Sequence, residues 1–163
     1  MTFGAQGYAL AHGEGEGLWF FNGLLTVKAG GPDTREAFTL IEAELPAGGG
    51  PPPHIHHNEE EGFYVAQGEV TIYLGNDERT LAAGGFAMAP RGVPHAFRLE
   101  TPDATLVLLV SPGPAHEAMF REMGEPATAR SIPEAPAMPP DVPELAKIAA
   151  RHGTQIVGPP PGG

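Results

Sequence analysis

The chain has no cysteine among its 163 residues. Disulfides, zinc–thiolate sites and thiol nucleophiles are therefore excluded. Basic residues are also scarce, with nine Lys and Arg against twenty Asp and Glu, for a formal charge of -11. Such a surface repels a phosphate backbone, and no Lys/Arg cluster offers a track for one, so no nucleic-acid partner is expected. Long apolar runs are missing. The longest strongly apolar stretch, residues 105–110, is far too short to cross a bilayer, and no membrane partner is expected. The opening residues, Met1 to Gly7, carry neither a basic segment nor an apolar one of the kind a secretory leader needs, which makes the cytoplasm the expected location.

Glycine and proline, by contrast, are abundant, at 23 and 19 residues. They cut the chain into short segments, as many strands joined by turns require. Strands are expected over 18–21, 24–29, 37–45, 54–56, 61–66, 69–74, 78–81, 86–89, 95–100 and 105–110. Gln67-Gly68 and Asn76-Asp77 suit tight hairpins, and Gly30 to Asp33 suits a loop. Ten short strands with no helix between them imply an all-β fold, an antiparallel barrel or double-sheet jelly roll. Hydrophobic residues at 41% suffice for one core in a chain of this size. The C-terminal third differs. A short helix is expected over 115–122 with Met119, Phe120 and Met123 as its apolar side, then a Pro-rich extended segment over 128–140. A second helix should start at an Asp141 cap with Glu144 three residues on, present Leu145, Ile148 and Ala149, and end at Gly153. The expected organisation is a flexible arm over 1–17, a β-barrel over 18–114, and a helical extension over 115–163 that packs on the barrel.

The chemistry is concentrated in the string Gly48-Gly-Gly-Pro-Pro-Pro-His54-Ile-His56-His-Asn-Glu-Glu-Glu61-Gly-Phe-Tyr-Val-Ala-Gln-Gly68. A strand sends alternate side chains to one face, so His54 and His56 can enter one cavity, and Glu61 can return to it from the next strand. A second string, Gly84-Gly-Phe-Ala-Met-Ala-Pro90-Arg-Gly92-Val-Pro-His95, places a further histidine just after a Pro/Gly turn. Imidazoles with a carboxylate suit a divalent transition metal rather than calcium or magnesium. Three imidazoles and Glu61 would leave about two of six octahedral positions open, as catalytic sites do. The expected cofactor is one such ion per chain, from iron, manganese, nickel, cobalt, copper or zinc. By strand parity Phe63, Val65, Val70, Ile72, Leu74, Phe97 and Leu99 face inward. Phe63, Phe97 and Leu99, nearest the ligands, are the candidate substrate pocket.

Bland readings apply elsewhere. His57 should face solvent, and Glu59 and Glu60 read as a charge run, with Glu60 replacing Glu61 only across a bulge. His12, His116 and His152 read as solvated or cap-bonded. Trp19, Phe20, Phe21, Met88, Met119 and Met123 read as packing, and Lys28 and Arg91 as surface.

Together the two strings resemble the cupin superfamily, whose motifs read G-x5-H-x-H-x3,4-E-x6-G and G-x5-P-x-G-x2-H-x3-N. Gly48, His54, His56, Glu61 and Gly68 fill the first. Gly84, Pro90, Gly92 and His95 match the second, and Leu99 stands where the family has Asn, which is not a metal ligand there. From about Leu18 to Pro160 the chain looks like bacterial single-domain cupins of the quercetin 2,3-dioxygenase-like group. That resemblance implies the jelly-roll barrel, metal held by His54, His56, Glu61 and His95, and a homodimer. It also implies dioxygen and a flavonol or related enolisable aromatic as reactants, with Glu61 as general base. The alternatives on the same site are a metal-dependent isomerase or lyase acting on a small keto acid or sugar derivative, and a non-catalytic metal- or small-ligand-binding protein.

Overall fold

Alternation of apolar and polar residues builds two antiparallel sheets. The computed structural model describes residues 7–134 and 141–160. Parts of the expected arm, of the Pro-rich segment and of the terminal tail therefore lie outside the described residues. The elements are β1 (Glu16–Phe20), β2 (Gly23–Ala29), α1 (Gly31–Thr34), β3 (Thr39–Glu44), β4 (His54–His56), β5 (Glu60–Gln67), β6 (Glu69–Leu74) and β7 (Asp77–Ala82). They continue with β8 (Phe86–Ala89), β9 (His95–Leu99), β10 (Thr105–Ser111), α2 (Pro114–Met123), β11 (Glu125–Pro126), α3 (Val142–Arg151) and β12 (Thr154–Ile156). One sheet runs β11-β1-β2-β3-β10-β5-β8 and the other β12-β4-β9-β6-β7.

The sheets share one core. Ile41 and Ala43 of β3, Phe63 and Val65 of β5, and Leu106 and Leu108 of β10 meet Val70 and Ile72 of β6 and Phe97 and Leu99 of β9. All are buried, and in β3 the buried residues alternate with partly exposed ones, the period-2 signature of a strand with one face inside. The expected all-β double sheet with short C-terminal helices is what forms. Gly68 closes the β5–β6 hairpin at φ 73°, and a Cβ there would lie 2.7 Å from the Ala104 Cα, so the position requires glycine. The β6–β7 turn falls on Gly75-Asn76, one residue earlier than expected, because Asp77 already pairs with Leu74.

Three elements were not expected. Residues 31–34 form a single helical turn where a loop was anticipated. β11 pairs with β1, and β12 pairs with β4, so the C-terminal third adds a strand to each sheet. Segments of two and three residues carry too little periodicity to be read from sequence. Two packing expectations are corrected. Phe21 and Met88 are exposed at 41% and 49%, because Phe21 lies in the β1–β2 turn at φ 55° and Met88 points to the outer face of β8. At the other end, β1 begins at Glu16, inside the stretch read as an arm. Residues before it are held by Lys28, whose Nζ donates to the carbonyls of Ala11 and Glu14 at 3.0 and 2.8 Å while pairing with Glu42 at 2.9 Å.

The helices are fastened by polar contacts. Asp141 caps α3, accepting the Glu144 N–H at 3.1 Å, and Gly153 follows the helix at φ 80°. Glu122 of α2 meets His152 at 2.6 Å and also pairs with Arg151. Glu117 is buried at 4% exposure. It accepts the Gly31 N–H at 2.7 Å and the Thr39 hydroxyl at 3.0 Å, and pairs with Arg121, which also reaches Glu16 at 2.7 Å. This knot ties α2 to α1, β3 and β1. Glu117→Ala strips three partners at once and should destabilise the fold by about 3 kcal/mol in urea unfolding, the scale of breaking a buried ion pair. An unchanged midpoint would show that the knot contributes nothing.

Candidate metal centre

Three neighbouring strands deliver the centre. In β4, His54 and His56 are buried while Ile55 between them is not, as strand parity requires. His54 stands directly opposite His95, the first residue of β9. Glu61 enters from β5 in the facing sheet. The turn before β9 is pinned to β4 by Gly92, whose N–H donates to the His56 carbonyl at 2.9 Å with φ at 77°. One ligand atom from each of the four side chains lies within 4.8 Å of all the others, and all four residues are buried.

The outer nitrogens fix the inner ones. His54 Nδ1 lies 2.9 Å from the Pro52 carbonyl and His95 Nδ1 lies 2.8 Å from the Val93 carbonyl. A carbonyl oxygen only accepts, so both Nδ1 atoms carry hydrogen, and a ring that carries no second proton turns an Nε2 lone pair inward. His56 Nδ1 contacts the Thr154 hydroxyl at 3.0 Å, which steers its Nε2 the same way. The Glu61 Oε2 lies 3.1 Å from His56 Nε2, 3.0 Å from His95 Nε2 and 3.9 Å from His54 Nε2. Lone pairs opposed at those distances repel unless a cation lies among them. The donor set thus fits a divalent transition metal, and His54, His56, Glu61 and His95 could hold one.

Protons on the inner nitrogens can take the same place. Burial alone would raise the Glu61 carboxyl, but hydrogen bonds donated by the three imidazoles hold it well below the usual carboxylate range. Burial lowers His56, whereas for His95 the opposing pull of Glu61 outweighs burial and raises it. Proton and metal compete for the same cluster.

The remaining residues divide as follows. Phe63, Phe97 and Leu99 are all buried, with the Phe63 ring centroid 5.8 Å from that of His95 and 6.0 Å from that of Phe97. His57 is exposed beside Gln155, and Glu60 points outward to Arg91 at 2.7 Å, so β5 keeps the register that selects Glu61. Glu59 is not part of a solvated charge run. It is 1% exposed, its Oε2 lies 4.0 Å from His56 Nδ1 without a hydrogen-bond partner, and burial raises its carboxyl. His116 is the clearest correction. It was expected to be solvated or cap-bonded, yet it is 2% exposed, with its ring centroid 4.7 Å from that of His56 and 4.5 Å from that of Phe120. Burial drives its imidazole down to about 3, so it is neutral. The signal was present in the sequence: His116, Met119, Phe120 and Met123 are spaced i, i+3, i+4 and i+7, so the buried face of α2 begins with a histidine.

Residues 41–111 match the family model described as the cupin domain, and the four candidate ligands lie inside that span. The chain carries a cupin domain. It is 30% identical over 130 residues to a quercetin 2,3-dioxygenase of Bacillus subtilis (strain 168), covering 80% of this chain and 38% of that protein. It is 33% identical over 105 residues to a quercetin 2,3-dioxygenase of Aspergillus japonicus, covering 60% of this chain and 30% of that protein. The chain thus spans less than two fifths of the length of these curated relatives. The solved polyketide cyclase RemF from Streptomyces resistomycificus aligns at a TM-score of 0.53 with 23% identity, over 64% of this chain and 78% of that one, which shows a shared fold. Among the described residues no helix is long and apolar enough to cross a membrane.

The centre predicts a graded series. Elemental analysis should find about one first-row metal per wild-type chain. His56→Ala and His95→Ala should each lose most of it. Thr154→Val, which removes only the hydroxyl behind His56, should weaken affinity by about 10- to 100-fold. Full occupancy in the His56/His95 double variant would overturn the assignment.

Proposed function

We propose that this protein is a metal-dependent dioxygenase of the quercetinase type, cleaving a flavonol or a related enolisable aromatic with dioxygen. The observation that carries the reading is a single carboxylate, Glu61, buried among three inward-facing imidazole nitrogens and next to apolar side chains. The similarity to two quercetin 2,3-dioxygenases supports it. When bound, a divalent transition metal supplies Lewis acidity and open positions for small oxygen ligands.

The residues take distinct parts. His54 and His95 keep fixed tautomers, and with His56, oriented by Thr154, they hold the donor set in place. Glu61, ionised throughout the neutral range, is placed to take the proton from a substrate hydroxyl. A carboxylate held tightly as a ligand is a poorer base, so its two roles compete. Phe63, Phe97 and Leu99 offer an aromatic substrate apolar contact and exclude water.

Glu61→Gln, reloaded with saturating metal, should still bind a flavonol yet turn it over at least ~100-fold more slowly, the usual scale for losing a general base. If wild-type protein loaded in turn with iron, manganese, nickel, cobalt and copper takes up no dioxygen with any flavonol, the dioxygenase reading fails. The metal site would then serve an isomerase, a lyase or a binding protein.

The homodimer is part of the same proposal. Tyr64 of β5, Phe86 and Met88 of β8 and Leu109 of β10 are exposed, Tyr64 sits opposite Phe86, and β8 is the edge of its sheet. An apolar strip on an edge suits burial against a second copy. Sedimentation equilibrium should show a dimer that Phe86→Glu converts to monomer, and a monomeric wild type would refute it.

A further inference from the structure

The buried side-chain atoms that lack any hydrogen-bond partner among the described residues are Glu59 Oε2 and both ring nitrogens of His116. All of them flank one residue, His56: the Glu59 oxygen lies 4.0 Å from its outer nitrogen, and the His116 ring lies 4.7 Å from its ring. Native folds pair nearly every buried polar atom, and an orphan costs about 1–3 kcal/mol. A neutral imidazole has one donor and one acceptor. The Phe120 ring, 4.5 Å away and nearly perpendicular, can face an N–H but offers nothing to the acceptor nitrogen. His116 therefore carries unmet hydrogen-bonding capacity inside the core, beside the metal centre. It is not one of the four side chains whose ligand atoms converge. It also arrives from α2, an element that contributes none of them.

We propose that His116 is a substrate-positioning residue, whose ring hydrogen-bonds an oxygen atom of a hydroxylated or enolised aromatic ligand seated against the four metal ligands. The ligand class follows from the surroundings. With both ring nitrogens unpaired, the His116 imidazole has hydrogen-bonding capacity to spare, which matches a hydroxyl or carbonyl oxygen. Phe120 packs on His116 and Phe63 on His95, and such rings match an aromatic frame. This inference rests on the reading of the centre as a metal site for small molecules and is independent of whether dioxygen is consumed.

The test uses cobalt-loaded protein and 4-nitrocatechol, whose absorption reports binding. His116→Phe should keep its cobalt by elemental analysis and unfold at a higher temperature, because two orphaned atoms are replaced by apolar ones. Its Kd for 4-nitrocatechol should nevertheless rise by about 10-fold, the worth of one hydrogen bond. His116→Gln, which restores a donor and an acceptor, should recover part of that loss, as a merely structural role would not allow. Equal affinity in wild type and His116→Phe at full cobalt occupancy would overturn the proposal. Loss of cobalt from His116→Phe would also overturn it, by making the residue part of the metal shell. Flavonol turnover is scored separately, so a protein that takes up no dioxygen but whose catechol affinity depends on His116 sinks the dioxygenase and leaves this inference standing.

Discussion

One short set of contacts governs the molecule: the Glu61 carboxylate among the Nε2 atoms of His56, His95 and His54 at 3.1, 3.0 and 3.9 Å. Because Pro52 and Val93 carbonyls hold two of the rings in the tautomer with the outer nitrogen protonated, the inner nitrogens are lone-pair donors. A buried carboxylate facing them is stable only with positive charge between. The fold therefore contains a built-in demand for a cation, and its strands are arranged around that demand.

The arrangement is economical in backbone terms. Glu61 sits in one sheet and the histidines in the other, so the centre bridges the two layers. The strand pairing of His54 with His95 and the Gly92-to-His56 hydrogen bond lock both motif segments to the same register. Gly50 adds a further constraint, since a Cβ there would lie 1.9 Å from the Phe97 carbonyl oxygen, and only glycine lets the segment before β4 cross β9 so closely.

What the sequence disclosed tracks how local each signal is. Ten strands alternate over four or more residues or lie between Gly and Pro turns, and these were legible. Two histidines in one strand and a carboxylate five residues on are likewise local facts, and the spacing to Gly68 selects Glu61 over Glu60. What was not legible depends on where distant segments return. Thr154 sits 98 positions from His56, in a three-residue strand with no pattern of its own. The arrival of β12 beside β4 is a tertiary fact. His116 lay between these cases. Its helical spacing marked it as buried, but the expectation that histidines on helices are solvated outweighed the periodicity. Glu59 failed for a similar reason, because its acidic neighbours made it look like a surface run while the turn into β5 folds it inward.

The C-terminal third is accordingly part of the centre rather than a covering for it. α2 brings His116 toward the ring of His56, and β12 brings Thr154 to its outer nitrogen. This has a consequence for selectivity. If Phe63, Phe97 and Leu99 line the proposed substrate pocket, that pocket would discriminate mainly by shape, and an apolar pocket separates ligands differing by one methylene by only about 10- to 200-fold. A single buried polar group changes that scale, because a ligand lacking the matching oxygen leaves the group unpaired at a cost that an apolar wall never imposes. Discrimination between oxygenated and deoxygenated aromatics would then fall to His116 and the metal acting together, and discrimination among oxygenated ones to the apolar walls.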